Sequence, residues 1–383
     1  PPQLAHRAWT RLHSARIEGW TSPTRWPTLA ELDAAAPDNP CVILSFDHHA
    51  AVANSRALAA AELRAGDIVE PNGRVEVDKK TGYATGLLVE QAAYRVWEAA
   101  PEPTVAERGE HVESALSELA AKGFTSVHDL HSQDWLGETL AGLEREGRVP
   151  KSMREIRLYP PVSRLATAHH SRGEWESARV RLAGGKLFAD GTLNSRTALM
   201  LHPYREPLPD APCGRAMLKG GDLDRGIALA ESLGLHVAVH AIGDAAVRMV
   251  LDAVERTGRS VFPRHRIEHC ELIAEADVPR FAKLGVVCSV QPCHLLTDIE
   301  VLNRQLAHRV ERVLPLRELI ESGCRPGGDD GLLWFGSDVP IVRPDAGDSV
   351  CAATLRRREG MAEAEAIGWG QRLTKAEALA GFG

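Results

Sequence analysis

The sequence predicts an α/β fold, with a TIM-like (β/α) barrel as the main part of the chain. From about Thr104 onward, short β-branched runs alternate with amphipathic helical stretches, a pattern typical of parallel strands joined by helical crossovers. Glycine follows several of the helical stretches, at Gly123, Gly234, Gly285 and Gly323, which is a common way for a helix to end. Seven such strand–helix units fit a barrel that lacks its first strand.

The elements of this barrel can be placed along the chain. The predicted strands are short apolar runs at Thr125–His128, Glu155–Tyr159, Arg179–Phe188, Leu235–His240, Arg264–His269, Val286–Gln291 and Leu333–Asp338. The helical patterns between them include Val105–Ala121, Leu223–Leu233, Ala245–Arg256, Ala274–Leu284 and Leu316–Ser322. The proline-containing stretch 205–215 predicts a long loop after the fourth strand position of the barrel.

Residues 1–103 have a different character. Tryptophan and proline are interspersed there, and alternating stretches such as Cys41–Phe46 and Gly73–Val77 predict strands. We therefore expect an α+β insertion or subdomain over residues 1–103, packed on a barrel formed by residues 104–383.

The composition argues against several classes of partner. With 44% hydrophobic and 25% charged residues, the chain has ample apolar material for a core and no sign of disorder. A net charge of −7 without a long basic stripe argues against nucleic acid, and no run approaches the roughly 18 apolar residues of a membrane span. The seven cysteines are odd in number and form no C-x-x-C pair, which favours reduced thiols in the cytoplasm.

Ionisable side chains lie at the ends of the predicted strands. His128, His240, His269 and Asp338 each lie at a carboxyl end, and Lys186 lies inside an apolar strand. The carboxyl ends of parallel barrel strands meet on one face, where such enzymes place their active sites. Two imidazoles and a carboxylate suit zinc, manganese or iron(II), so the strand ends predict a metal site.

Two interpretations of Lys186 remain open from the residues alone. A lysine in an apolar strand is costly to bury, so it could be paired with a carboxylate such as Asp190. It could also be a desolvated amine with a lowered pKa, able to form a carbamate with carbon dioxide.

Several long strings carry a family resemblance. "GGKLFADGTLNSRTALM", "VAVHAIGDAAVRMVLDA", "RHRIEHCELIAEADVPRFAKLGVVCSVQPCHL" and "GSDVPIVRPD" resemble the amidohydrolase superfamily, in particular the amidohydrolase-3 branch that includes N-substituted formamide deformylases. The resemblance runs in order from about Trp20 to the C-terminus. It implies that Lys186 is a carboxylatable lysine, that His240 and His269 are metal ligands, and that Asp338 is both a ligand and the general acid/base.

The activity implied by this resemblance is hydrolysis of a non-peptide C–N bond, amide- or formamide-like, in a small molecule. Divalent metal, with zinc expected and manganese or iron as alternatives, activates the attacking water. A deaminase or cyclic amidase on the same scaffold and a metal-free, inactive barrel are the alternative functions. No nucleic-acid or membrane partner is expected, and a homodimer is compatible with the sequence.

Further polar residues are candidates for the substrate pocket or, equally, for fixing loops. They are His49, Glu90, His128, Asp190, Arg196 and His294. Asn54 is expected to organise a turn through its side-chain hydrogen bonds. Asp244 is well placed to be the N-cap of the helix that follows it, with contact to substrate as the alternative.

The sequence also departs from the family pattern. The family's first strand ends in an H-x-H pair of metal ligands, and no H-x-H occurs in these 383 residues. The sequence begins inside the family's insertion and ends before the segment that completes a small C-terminal β-sandwich. A partial sequence is the explanation we favour, over a truncated inactive product or a variant that binds one metal.

Overall fold

The computed structural model describes residues 9–15, 25–45, 50–70, 73–257, 264–328 and 330–383. The chain divides into two compact units, Pro1–Thr104 and Val105–Gly383. Within the described residues, none of the helices combines the length and the apolar character that crossing a bilayer requires.

The first unit is built on a mixed sheet. Its elements are β1 (Thr10–Ala15), α1 (Leu29–Ala35), β2 (Cys41–Ser45), β3 (Ala50–Ala53), α2 (Ser55–Ala60), β4 (Ile68–Val69), β5 (Gly73–Val77), β6 (Ala84–Val89) and α3 (Gln91–Glu98). The strand order is β1-β2-β3-β6-β5-β4, with β1 and β2 parallel and the other pairs antiparallel. Strands β2 and β5 confirm the two alternating stretches as strands, apart from Phe46, which lies outside the described residues.

Asn54 organises the connection between β3 and α2, as its position in the sequence predicts. Its side-chain oxygen accepts hydrogen bonds from Ala57 N, as an N-cap, and from Cys41 N, each at 2.9 Å. Its side-chain nitrogen donates to Ala36 O and Asn39 O. Because Asn54 is fully buried, it satisfies backbone groups that water does not reach.

The second unit alternates strands and helices. Its elements are α4 (Val105–Ala121), β7 (Ser126–Asp129), α5 (Leu136–Arg145), β8 (Glu155–Leu158), α6 (Val162–Ser171), β9 (Val180–Leu182), β10 (Gly184–Phe188), α7 (Asp222–Ser232), β11 (His236–Ala241), α8 (Asp244–Thr257), β12 (Arg266–His269), α9 (Val278–Leu284), β13 (Val287–Val290), α10 (Cys293–Gln305), α11 (Leu316–Glu321), β14 (Leu333–Phe335), α12 (Ala346–Leu355) and α13 (Lys375–Ala380).

The strands of this unit are parallel and follow chain order. One ladder runs β7-β8-β9 and another runs β10-β11-β12-β13-β14. Only Ala183 separates β9 from β10, and Lys186 N donates a hydrogen bond of 2.8 Å to Pro160 O, which continues the pairing after β8. The seven predicted strands are therefore confirmed, with β9 and β10 together forming the third.

The sheet curves so that its first and last strands approach each other. The ring of His128 on β7 lies 6.1 Å from the ring of Trp334 on β14, centroid to centroid. Every residue of β11 is buried, as expected for a parallel strand covered on both faces. The side chains on the inner face of this curved sheet therefore share one enclosed interior.

The predicted helices of the second unit are present, and the four predicted glycine ends have positive φ. At Gly285, for example, the left-handed conformation ends α9 just before β13 begins. The prediction for Asp244 is wrong, because α8 begins at Asp244 and Gly243 accepts the first helical hydrogen bond. The Asp244 carboxylate instead accepts from Leu201 N and pairs with Arg309, which ties the long loop to the helix.

Candidate metal centre

Strand alternation places Lys186 and His240 on the inner face of the sheet. Lys186 pairs in register with Ala238, and Phe188 pairs with His240 one layer nearer the carboxyl ends. Side chains two residues apart share a face, so His236 lies deeper than His240 on the same strand. His236 is bonded there to the hydroxyl of Tyr159 at 3.0 Å, whereas His240 is at the carboxyl end.

Simple alternation would send His269 to the other face, since Arg266 and Glu268 point inward on β12. Its φ of 75° is left-handed, and this breaks the alternation at the end of the strand. The imidazole lies 4.5 Å from that of His240, centroid to centroid. Asp338 also has a positive φ, 54°, just after β14. Non-glycine residues in this region are strained, and such strain clusters at functional sites.

His294 joins this cluster from the first turn of α10. Ligand atoms of His269, His294 and Asp338 all lie within 4.8 Å of one another. The His294 and His269 rings are stacked with their centroids 5.8 Å apart. The structure thus brings His240, His269 and Asp338 together, as the strand ends predict, and it adds His294, for which the sequence predicts a substrate contact.

Lys186 lies beside the same cluster and is 5% exposed. Its ammonium nitrogen is 4.7 Å from the centre of the Phe188 ring. Burial lowers the pKa of Lys186 to about 8, although the charges of Glu268 and Asp338 act to raise it. Both the amine and the ammonium form are therefore accessible near neutral pH.

The Asp190 carboxylate is bonded to the backbone and not to Lys186, so the predicted pairing of these two residues is not seen. Its carboxylate accepts hydrogen bonds from three backbone N–H groups, those of Leu199, Ile242 and Gly243, at 2.8 to 3.0 Å. Burial raises the pKa of Asp190 to about 7 despite these bonds. Asp190 thus joins the loop after β10 to the end of β11, and one oxygen lies 3.6 Å from His240 Nε2.

The buried imidazoles are in the form that binds metal. Burial lowers the pKa of both His240 and His269 well below its usual value, so both rings are neutral at pH 7. His240 Nε2 donates a 3.1 Å hydrogen bond to Gly191 O, which leaves its Nδ1 with the lone pair. Within the described residues, Nδ1 of His269 is buried and has no hydrogen-bond partner.

His294 lies between two carboxylates. Its Nδ1 lies 3.7 Å from Glu271 Oε1 and its Nε2 lies 3.4 Å from Asp338 Oδ2. Burial disfavours the charged ring, but contact with Glu271 and the charges of Asp338 and Asp298 outweigh it and raise the pKa of His294 to about 9. The two carboxylates thus favour positive charge at this ring, either a proton or, after loss of that proton, a metal ion.

A polar network beneath the cluster was not predicted from the sequence. Arg266, 4% exposed, donates to the carboxylate of the fully buried Glu268 and, at 2.8 Å, to Ser289 Oγ. Its guanidinium also lies over the Tyr159 and Trp334 rings, 5.5 and 5.3 Å from their centres. Period-two alternation in "RIEH" could have shown that Arg266 and Glu268 share a face, but not which face was inward.

The remaining candidates are dispersed. His128 bonds to Arg266 in the network beneath the cluster, and Arg196, with a φ of 57°, donates to Glu206 O at 2.8 Å. Glu90 belongs to the first unit, just before α3, and His49 lies outside the described residues. Contact of any of these with substrate stays a prediction.

The residues present fit a divalent cation. The cluster offers neutral imidazoles, a carboxylate and buried ring nitrogens without partners, which are the ligand types of zinc and related ions. A cation placed among them would satisfy atoms that the described protein leaves unpaired, and unpaired buried polar atoms are costly.

The parallel strands in chain order and the candidate ligands at their carboxyl ends define an α/β protein with a candidate His/Asp metal site. The amidohydrolase family model matches residues 11–382, so the chain belongs to the amidohydrolase family. This confirms the resemblance seen in the sequence, and the barrel of that family agrees with the curved parallel sheet.

Several known proteins are similar in sequence to most of this chain. A putative amidohydrolase, YtcJ, from Bacillus subtilis is 29% identical over 89% of this chain and 64% of its own length. The N-substituted formamide deformylase of Arthrobacter pascens is 26% identical over 83% of this chain and 60% of its own length. The chain thus spans about three fifths of the length of these relatives. An uncharacterized metal-dependent hydrolase from Pyrococcus horikoshii has a TM-score of 0.76 at 28% identity, covering 98% of this chain and 71% of that one.

Proposed function

We propose that this chain forms the catalytic part of a metal-dependent hydrolase that cleaves a non-peptide, amide- or formamide-like C–N bond. The observation that carries the proposal is the convergence of His269, His294 and Asp338, with ligand atoms within 4.8 Å of one another. They lie at or just beyond the carboxyl ends of parallel strands, where α/β barrels place their active sites. We also propose that these strands are strands two to eight of a TIM-like barrel, with residues 1–103 as an insertion.

Lys186, His240, His269 and Asp338 are the proposed metal ligands, with Lys186 as a carbamate. The lowered pKa of Lys186 favours this role, because carbon dioxide reacts with the free amine. When bound, a divalent cation such as zinc, manganese or iron(II) polarises a carbonyl and lowers the pKa of water toward neutrality. The mixed nitrogen and oxygen donors suit zinc best.

Asp338 is the proposed general acid/base. It is the least buried member of the cluster, with its side chain 32% exposed, so its carboxylate can be reached by water and substrate. Asp338 takes a proton from the attacking water and returns it to the leaving nitrogen, and an unprotonated carboxylate at the start is required for this. His294 Nε2 lies 3.4 Å from one of its carboxylate oxygens.

The substrate class follows from this chemistry and from one relative. The deformylase of Arthrobacter pascens is named for N-substituted formamides, and we propose an N-acyl or N-formyl compound for this chain. His49, Glu90, His128, Asp190, Arg196 and His294 are the proposed substrate-binding residues. Asp190 lies 3.6 Å from His240 and His128 is bonded to Arg266, so each would influence substrate through that neighbour.

The test combines metal analysis with turnover. The purified chain is expected to hold transition metal in stoichiometric amount and to hydrolyse one class within a panel of formamides, N-acyl amino acids, hydantoins and aminopurines. The Asp338→Asn variant is expected to lose turnover by about 10²- to 10⁴-fold while retaining most of the metal. Absence of metal under all loading conditions, or full activity of Asp338→Asn, would overturn the proposal, and a preference for aminopurines or hydantoins would replace the substrate class.

A further inference from the structure

His294 carries the features of a metal ligand. Its Nε2 is buried and has no hydrogen-bond partner among the described residues. Asp338 Oδ2 is 3.4 Å away, close enough for charges to attract, yet the pair does not have the geometry of a hydrogen bond. An imidazole nitrogen left unpaired beside a carboxylate is available to share a cation with it.

The other nitrogen of the His294 ring, Nδ1, faces a carboxylate, as is usual for a histidine that binds metal. His294 Nδ1 faces the buried carboxylate of Glu271 at 3.7 Å, and Glu271 is 5% exposed. A histidine that binds metal through one nitrogen almost always directs its other N–H at a carboxylate or a carbonyl. His240 has the equivalent arrangement, with its Nε2 bonded to Gly191 O.

The position of the ring agrees with this assignment. His294 and His269 are stacked at 5.8 Å with 23° between their planes, and the His269 ring in turn contacts that of His240. Since α10 begins at Cys293, the helix that follows fixes the backbone of His294. Asp298, one turn later on the same helix, is held by Asn194 at 3.0 Å and keeps a second carboxylate near Glu271.

We infer that His294 binds the divalent cation directly through Nε2, together with His269 and Asp338, and that Glu271 orients its ring. This assignment rests on the proposed function, because it presumes that the cluster holds a metal. It changes the role of His294 from a substrate contact to a ligand. Glu271 is then a positioning residue that acts through His294.

The direct measurement is the anomalous diffraction of crystals of the wild-type chain soaked with Zn²⁺. We expect a peak roughly 2.0 to 2.1 Å from His294 Nε2, the usual zinc–nitrogen distance. A zinc peak bonded to His269 and Asp338 but not to His294 would overturn the assignment. A peak among Glu271, Asp298 and Nδ1 of His294 would also overturn it. The absence of any zinc at the cluster would reject the proposed function itself.

Binding measurements on variants provide the second test. We expect His294→Ala and His294→Gln to weaken Co²⁺ binding by about 100-fold and to change the visible absorption of the bound ion, and Glu271→Gln to weaken it by about 10-fold. His265→Gln is the matched control, since His265 is a buried histidine paired with Glu231 at 3.3 Å at the opposite end of β12. Circular dichroism identifies folded variants, and Glu271→Gln keeps a side chain of similar size.

The results on these variants distinguish failure of the His294 assignment from failure of the proposed hydrolase function. Wild-type Co²⁺ affinity and absorption in folded His294→Gln would show that His294 is not a ligand, while leaving the proposed hydrolase function intact. Loss of Co²⁺ binding in His265→Gln as well would show that the effect is not specific to His294, and would equally overturn the assignment.

Discussion

The imidazole of His269 lies against that of His240, with 4.5 Å between centroids, although the two residues are not opposite each other in the parallel ladder. His240 pairs with Glu268, and His269 pairs with Ala241. The left-handed backbone at His269 brings its ring to the cluster. A left-handed φ at a non-glycine residue costs about 1–3 kcal/mol, and it persists only where contacts with the surrounding structure stabilise it. Metal binding would be one source of that support.

Metal is therefore expected to stabilise the chain. At a free Zn²⁺ concentration 100 times Kd, linkage predicts a gain of about 3 kcal/mol in unfolding free energy, and EDTA should remove it. Thermal unfolding with and without Zn²⁺ measures the difference. The double variant His240→Ala, His269→Ala should melt at one temperature in both conditions, whereas His265→Gln should retain the metal-dependent shift. An equal shift in the double variant would place the stabilising site elsewhere.

The pair of Arg266 and Glu268 is expected to be costly to break. Both side chains are buried, so removing one leaves an uncompensated charge, and Arg266→Met or Glu268→Leu should each lower the unfolding free energy by about 3–5 kcal/mol. The double replacement Arg266→Met, Glu268→Leu should cost less than either single one. Urea unfolding of the four proteins completes the cycle, and strictly additive losses would contradict this account.

An exposed pair provides the comparison. Arg256 and Asp224 are joined at 2.8 Å, and their side chains are 58% and 43% exposed. Arg256→Met should change the unfolding free energy by less than about 1 kcal/mol. A similar loss at both arginines would mean that burial does not explain the effect.

Asn54 should be more important to the first unit than an ordinary helix cap. Asn54→Ala removes the cap of α2 and leaves Cys41 N without its side-chain partner, so a loss of roughly 2–4 kcal/mol is expected. Thr28→Ala is the control, because Thr28 only caps α1 and should cost about 1 kcal/mol. Amide hydrogen exchange in the first unit measures the loss of unfolding free energy in both variants. Equal losses in Asn54→Ala and Thr28→Ala would contradict the added role of Asn54.

The strand ends, and the residues that lie at them, could be predicted because they depend on local patterns. His240 and Lys186 follow from period-two alternation, and the seven parallel strands follow from short apolar runs between helical patterns. The position of His294 could not be predicted in the same way, since it depends on where α10 begins relative to β12. The left-handed φ of His269 could not be predicted either, because neither periodicity nor composition encodes it.

The partners of buried polar side chains could not be predicted from the sequence either. Asp190 binds backbone N–H groups that are up to 53 residues away, and Glu271 meets His294 across the interior. Such contacts depend on tertiary packing, because any acidic residue in a loop has many ways to be satisfied. The same reason explains why Asp244 pairs with Arg309 instead of capping its helix.

His128 is expected to make stability depend on pH. Burial, together with the charges of Arg266 and Arg157, lowers the pKa of His128 from 6.5 to about 4, while Glu155 partly opposes the shift. Between those two pH values the unfolded chain binds a proton that the folded chain does not, so stability rises with pH. The stability present above pH 6.5 is lost as the pH falls toward 4, by roughly 3 kcal/mol for this single group.

The variant His128→Gln isolates this contribution, because it removes the titrating ring while the other buried histidines remain. Between pH 7 and pH 4, the unfolding free energy of the wild-type chain should fall by roughly 3 kcal/mol more than that of His128→Gln, as measured by urea unfolding at each pH. His111→Gln is the control, because His111 is a histidine exposed on the surface of α4. Parallel curves for His128→Gln would show that His128 keeps its proton in the folded chain and would reassign the pH dependence to other groups.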